Sequence, residues 1–305
     1  MRLAIATAVL IGTALVGGAH ADGDDLVDTL GPREIALGEA LRGGATGASA
    51  IVLNPAGLPL SRDVVFEGGY GYRESDSASL VTASACDTTS AIPGCFYYDY
   101  AGANPALGSM SLHTSTQIVG TALAFPITPR VFLGTNMRYL HFDSDVMGHP
   151  ATSGFNGDAG AMLRLTDLVN VGVAGYNLVG TESVDFPRTV GGGVYAHPIP
   201  NLALGFDSRW KLEGSSAARY GGGAELFLRT GNGQTGFPIR AGALHDGDLD
   251  ATYLSGGLGI ASLTYAVDIA ARHAISGAQH ETLVIASMRF FGPRLPPLGP
   301  SAASD

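Results

Sequence analysis

Residues 201–211 read NLALGFDSRWK, and on an extended strand they divide into two unlike faces. Leu202, Leu204, Phe206, Ser208 and Trp210 take one side; Ala203, Gly205, Asp207, Arg209 and Lys211 take the other. Successive side chains of a strand point to opposite faces, so a period of two with every charge on one side marks a strand between an apolar and a polar medium. The division recurs in 131–140, where Val131, Leu133, Met137 and Tyr139 oppose Gly134, Asn136 and Arg138. In 263–272, Leu263, Tyr265, Val267, Ile269 and Ala271 oppose Thr264, Ala266, Asp268, Ala270 and Arg272. In 282–291, Val284, Ala286, Met288 and Phe290 oppose Ile285, Ser287 and Arg289.

Two all-β folds satisfy such strands. A soluble sandwich or barrel turns the apolar faces inward, whereas a transmembrane antiparallel β-barrel turns them outward to lipid. The charged faces here are crowded with small residues, as a filled or narrow lumen requires. Aromatic residues fall near strand ends, at Tyr70, Tyr72, Tyr139, Phe142, Trp210, Tyr265, Phe290 and Phe291, as an interfacial girdle would. Charged residues make up only 14% of the chain, and past residue 21 the apolar runs are broken by Gly, Thr or Pro. A spanning helix needs about 20 apolar residues. Low charge without such a helix is reconciled when apolar residues line one face of many strands, the arithmetic of a membrane barrel. Glycine, at 44 of 305 residues, is about twice as common as usual. The net charge of −10 and the lack of a basic stripe argue against nucleic acid as a partner.

Residues 1–21 have a basic start, a short apolar core and an Ala19-His20-Ala21 end, the pattern of a secretory signal peptide. Thirteen strand-like segments follow: 63–74, 106–113, 117–126, 131–143, 156–166, 170–178, 188–197, 201–211, 217–229, 237–245, 250–260, 263–272 and 281–291. Bacterial barrels usually close with an even number, so 95–101 is expected to complete fourteen, with twelve as the alternative. Short turns at 126–130, 166–170, 197–201 and 261–263 alternate with longer polar links at 74–96, 143–156, 180–188 and 272–280, the periplasmic and extracellular asymmetry of such barrels. Cys86 and Cys95 are expected to close a disulfide within the longest link, on the outside. The expected division is 1–21 signal peptide, 22–62 plug, 63–291 barrel and 292–305 Pro-rich tail.

The plug is read from GPREIALGEALRGGATGASAIVLNPAGL, residues 31–58. Residues 33–42 suit a short amphipathic helix ended by Gly43-Gly44, and a further helical turn over 48–53 is interrupted by Pro55. The whole is too short and too broken to join a barrel wall. It resembles the mature N-terminus of the FadL and PorV group of outer-membrane proteins: Gly31, Arg33, Leu37, Gly38 and Ala40, then Ala48-Ser49-Ala50, then Asn54-Pro55-Ala56-Gly57-Leu58. The chain departs from that pattern at Pro32 and at Glu39, where a Gly is usual. The resemblance implies a fourteen-stranded barrel with an N-terminal hatch in the lumen, and makes Asn54, Pro55, Ala56 and Gly57 a hatch kink. For the FadL branch it implies uptake of a hydrophobic small-molecule ligand that leaves sideways into membrane lipid. For the PorV branch it implies a protein partner in secretion. The chain is shorter than most FadL members, which puts long-chain fatty acids in question.

No nucleophile, phosphate-binding or dinucleotide motif is present, and no cofactor is implied; the His113 beside Ser111 and Thr114 in SLHTST is expected to be a polar rim residue. The triple glycines of VGGGVY and YGGGAE read as wall positions that permit bending or close approach. Arg138, Asp158, Arg164, Asp207, Arg209, Glu225, Arg229, Arg240, Asp268, Arg272 and Arg289 all take the non-lipid face in this register. Two readings of them stand: they pair with one another and hold the hatch, or the arginines hold an anionic head group bidentately.

Overall fold

The computed structural model describes residues 31–104, 106–107, 110–145, 147, 151–180, 186–214, 217–231, 234–277 and 280–294. The expected signal peptide at 1–21, the first plug residues 22–30 and the tail from 295 lie outside the described residues. Fourteen antiparallel strands form one closed meander: β1 Asp63–Arg73, β2 Ala78–Asp87, β3 Gly94–Ala103, β4 Thr114–Thr128, β5 Val131–Ser144, β6 Thr152–Arg164 and β7 Val169–Gly180. The second half is β8 Thr189–Ile199, β9 Leu202–Lys211, β10 Ala218–Arg229, β11 Thr235–Asp246, β12 Ala251–Ser262, β13 Tyr265–Ser276 and β14 Thr282–Arg294. Each strand pairs with its sequence neighbours, and β14 closes on β1, Gly68 facing Met288. Closure leaves no unpaired edge, which a sheet in lipid cannot tolerate.

The apolar faces point outward. Leu204, Phe206 and Trp210 of β9 and Tyr265 and Ile269 of β13 are exposed, whereas Asp207, Arg209, Asp268 and Arg272 are buried inside. Tyr70, Tyr72, Tyr139, Trp210, Tyr265 and Phe290 stand on the lipid side as the girdle reading requires. Phe142 and Phe291 do not: Phe142 is buried in the lumen edge-on to Phe186, and Phe291 shares the inward face under Arg289. Their parity is that of buried neighbours two residues away, which outweighs proximity to a strand end. Arg229 is exposed at the end of β10.

The expected total of fourteen holds, but its membership differs. Residues 78–87, taken as part of a link, form β2, and 106–113 contribute only a small ladder of Ala106–Leu107 with Met110–Ser111 outside the wall. The sequence ASLVTASACD has little contrast between its faces, with Thr82 and Ser84 inward against Ala83 and Ala85 outward; pairing on both sides with β1 and β3 makes it a strand. The disulfide is therefore not in an outer loop. Cys86 and Cys95 face each other across β2 and β3, Cα–Cα 4.1 Å, at the end of the barrel that carries the two-residue turns 129–130, 200–201 and 263–264. Cys86→Ala with Cys95→Ala is expected to lower stability by about 2–3 kcal/mol, read as a lower urea midpoint, while strand pairing keeps the barrel closed.

Candidate functional site: a hatch seated in the lumen

Residues 31–62 run inside the barrel as α1 (Pro32–Ala36), α2 (Ala48–Leu53) and a 3-10 turn (Pro55–Leu60). The helix expected over 33–42 stops at Ala36, because Gly38 and Glu39 both take positive φ, 60° and 64°. The helical turn expected over 48–53 forms as read. Leu37, Leu41, Ile51, Leu53 and Leu58 meet Ile118, Leu140, Phe142 and Tyr195 of the wall in one buried cluster. The hydrophobic core of this protein is thus the interface between hatch and lumen.

Glycines of the wall make that interface possible. A Cβ on Gly172 would lie 1.9 Å from the Arg42 carbonyl oxygen, on Gly221 1.9 Å from that of Gly38, and on Gly205 2.0 Å from that of Ala40. A Cβ on Gly134 would meet the backbone of Ala56 at 2.3 Å. Hatch backbone lies directly on strand backbone, which only residues without side chains allow. Gly221 and Gly223 from the second triple-glycine run belong to this set, touching the backbone of Gly38 and Leu37, and Gly191 from the first makes room for the Arg42 side chain.

Polar contacts fix the hatch in register with the wall. Asn54 is wholly buried; its Oδ1 accepts from Ala56 N at 3.2 Å, and its Nδ2 donates to Arg42 O at 2.9 Å and Ala161 O at 3.2 Å. One side chain therefore closes the Asn-Pro kink, ties together two hatch segments and reaches β6. Pro55 and Ala56 sit on Gly134, and Gly57 packs on the Ala45 carbonyl. Arg42 donates from its backbone and Nη1 to Asp207 Oδ2 at 2.8 and 3.1 Å, and from Nε to Tyr176 Oη at 2.7 Å. Tyr176 in turn donates to Leu53 O at 2.5 Å, and Arg209 lies over its ring, 4.8 Å away, with Nε donating to Thr189.

Arg33 reaches Glu225 at 3.3 Å and Tyr195 Oη at 2.9 Å. Burial opposes its charge, but Glu225, Tyr195 and Glu34 outweigh burial and its pKa stands above the usual arginine value. Glu225 also takes Arg240 at 2.6 Å; Arg240 reaches Asp268 at 2.5 Å, and Asp268 closes the chain on Arg289. Glu39, standing where the FadL-type pattern has Gly, is a buried carboxylate between Arg219 at 3.1 Å and Arg272 at 3.5 Å. A Gly suits that positive φ; Glu accepts the strain and gains two wall arginines. Arg272 extends this row to Glu281 at 2.7 Å.

The lumen residues read from the sequence thus fall into separate groups. Arg138 and Asp158 pair at 2.8 Å, with Asn136 and Asn177 joined to them; Asp207 and Arg209 flank Tyr176; Arg272 and Arg289 belong to the two ion-pair rows. Arg164 lies near the short-turn end, 5.7 Å from the Phe132 ring. Not foreseen was the bulge in β7, where Tyr176 and Asn177, φ 52°, are both buried opposite Asp158. A bulge puts neighbouring residues on one face, which a strict period of two cannot express; an Asn, tolerant of positive φ, is the single local cue.

His113 hydrogen-bonds Asn104 on the long-loop rim. His141 stands 2.6 Å from Ser153, but equivalent outward cross-strand pairs, His245 with Thr252 and His273 with Thr282, mark this as ladder pairing repeated around the wall.

No family model and no curated protein matches the sequence. Solved structures do match in fold. The Pseudomonas putida toluene transporter TodX is 10% identical, with a TM-score of 0.67 over 87% of this chain and 98% of that one. The CymD monoaromatic hydrocarbon channel is 13% identical, with a TM-score of 0.65 over 87% and 97%. A Pseudomonas aeruginosa FadL homologue is 11% identical, with a TM-score of 0.65 over 87% and 98%. The chain has the fold of the FadL-type outer-membrane channels, a closed fourteen-stranded barrel with its N-terminal segment inside.

Proposed function

We propose that this protein is an outer-membrane channel for uptake of small hydrophobic or amphipathic molecules, the class that includes hydrocarbons and fatty acids. The observation that carries the reading is the hatch: a lumen sealed by a segment seated through discrete polar contacts is a gate that ligand binding can shift. A passive structural barrel has no need of buried ion pairs between plug and wall. The structural neighbours named for toluene and monoaromatic hydrocarbon transport support the same class of cargo.

The Asn54-Pro55-Ala56-Gly57 kink is the joint of this gate, because Asn54 links both hatch segments to β6. Asn54→Ala removes buried hydrogen bonds worth about 1–3 kcal/mol together with the groups they leave unsatisfied. Cells producing the protein are expected to take up radiolabelled toluene several-fold faster than cells with an empty vector, and Asn54→Ala is expected to change that rate by at least about threefold. Equal uptake with and without the protein would sink the reading and favour a secretion partner of the PorV kind.

A further inference from the structure

The hatch does not touch the wall evenly. It lies backbone to backbone on the glycines of β5 to β11, but against β14, β1, β2 and β3 it leaves two adjoining clefts of about 50 and 30 Å³. The clefts share Glu34, Ala48 and Glu67 in their linings, so they adjoin across these residues and make up a crevice in two parts between the hatch and this side of the barrel. It runs from mid-barrel at Asp99 toward the short-turn end at Asp63 and Phe291.

Charge in this crevice is unbalanced. Five carboxylates line it against two arginines, Arg33 and Arg289; Asp63 is bonded to Thr88 and Asp268 is paired with Arg240 and Arg289, so the imbalance falls on Glu34, Glu67 and Asp99. Both arginines are already engaged, Arg33 by Glu225 and Arg289 by Asp268 and, through space, by Glu67. Glu34, 3% exposed, and Asp99, 8% exposed, make no side-chain hydrogen bond or ion pair among the described residues; Asp99 feels Arg138 only through space. Arg138 itself is taken by Asp158 and Asn177. Two buried carboxylates aimed into a cavity without a donor are costly as anions, and either a proton or a cation relieves that cost.

Beside these acids stand Ile51, Val52 and the Tyr97 ring. Carboxylates and an apolar lining together suit a positively charged nitrogen carrying an apolar body. The volume admits a head group rather than a whole amphiphile. We propose that the crevice is a subsite for the ammonium head of an amphipathic organic cation, held by Glu34, Glu67 and Asp99. It rests on the transport reading and narrows it: the cargo polar end is cationic or neutral, and free carboxylates are disfavoured.

The test compares three probes with one six-carbon tail, hexylammonium, hexanol and hexanoate, titrated calorimetrically at neutral pH into the full-length barrel folded in detergent. Hexylammonium is expected to bind at least about tenfold more tightly than hexanol, and hexanoate more weakly than either. In Glu67→Gln/Asp99→Asn, and separately in Glu34→Gln, the ammonium-to-alcohol ratio is expected to fall toward one, with heat-modifiable gel mobility verifying the folded barrel. Hexanoate binding as tightly as hexylammonium, or a ratio unmoved in both variants, would overturn the proposal. Hexanol binding without a preference for the ammonium sinks this inference alone, whereas no binding of any probe sinks the transport reading with it.

Discussion

Asp207→Ala is expected to unseat the hatch while the barrel stays closed. Asp207 on β9 takes both the backbone amide and the guanidinium of Arg42, and the two side chains are each only 2% exposed. Removing one partner of a buried pair leaves the other charged and desolvated, which costs about 3–5 kcal/mol. Arg42 also holds Tyr176, which binds Leu53, so the loss reaches both hatch segments. The wall does not depend on this pair, because β9 is hydrogen-bonded along its length to β8 and β10. Trypsin cleavage after Arg33 or Arg42 in the folded barrel is expected to accelerate by at least about 100-fold, since cleavage follows the population of the opened segment. Planar-bilayer recordings are expected to show larger, more frequent conductance steps, with Asp207→Asn intermediate. Unchanged cleavage would mean that this pair does not hold the hatch.

Gly172→Val is expected to act as strongly by a different route. Its Cβ would fall 1.9 Å from the Arg42 carbonyl oxygen and 2.7 Å from Asn54 Nδ2. The first contact is backbone, which cannot swing aside as the end of a long side chain can, so the hatch around Arg42 must lift off β7. Gly192→Val is the matched control: a Cβ there meets nothing nearer than 3.5 Å and points outward. Whole cells carrying Gly172→Val are expected to become permeable to a bulky antibiotic that the intact outer membrane excludes, and cells carrying Gly192→Val are not. If both variants exclude the antibiotic equally, close backbone packing is not what seals the lumen.

Glu39 joins the two results. It occupies a backbone conformation that suits glycine, yet it bridges Arg219 of β10 and Arg272 of β13. Glu39 is therefore an electrostatic latch at a position whose backbone suits glycine. Hatch retention here leans on charge pairs inside a low-dielectric lumen, where breaking one is far more costly than on a surface.

What the sequence by itself determined was the wall and its sidedness. A period of two carries the inside-outside choice at every residue, so Leu204, Phe206 and Trp210 against Asp207 and Arg209 already state which face meets lipid. The kink at Asn54-Pro55 and the helical turn before it were also legible, because proline and capping act within a few residues. The tertiary structure alone decided the rest. β2 exists because two neighbours pair with it, not because ASLVTASACD alternates, and that pairing moved the disulfide to the short-turn end. The partners of Arg42, Glu39 and Arg33 lie more than 160 residues away in sequence, at Asp207, Arg219 and Glu225. No local pattern encodes them, because they are set by how the hatch lies inside the closed barrel. The acidic crevice is likewise invisible in order of residues: Glu34, Glu67 and Asp99 come from the hatch, β1 and β3, and only barrel closure around the hatch brings them to one cavity.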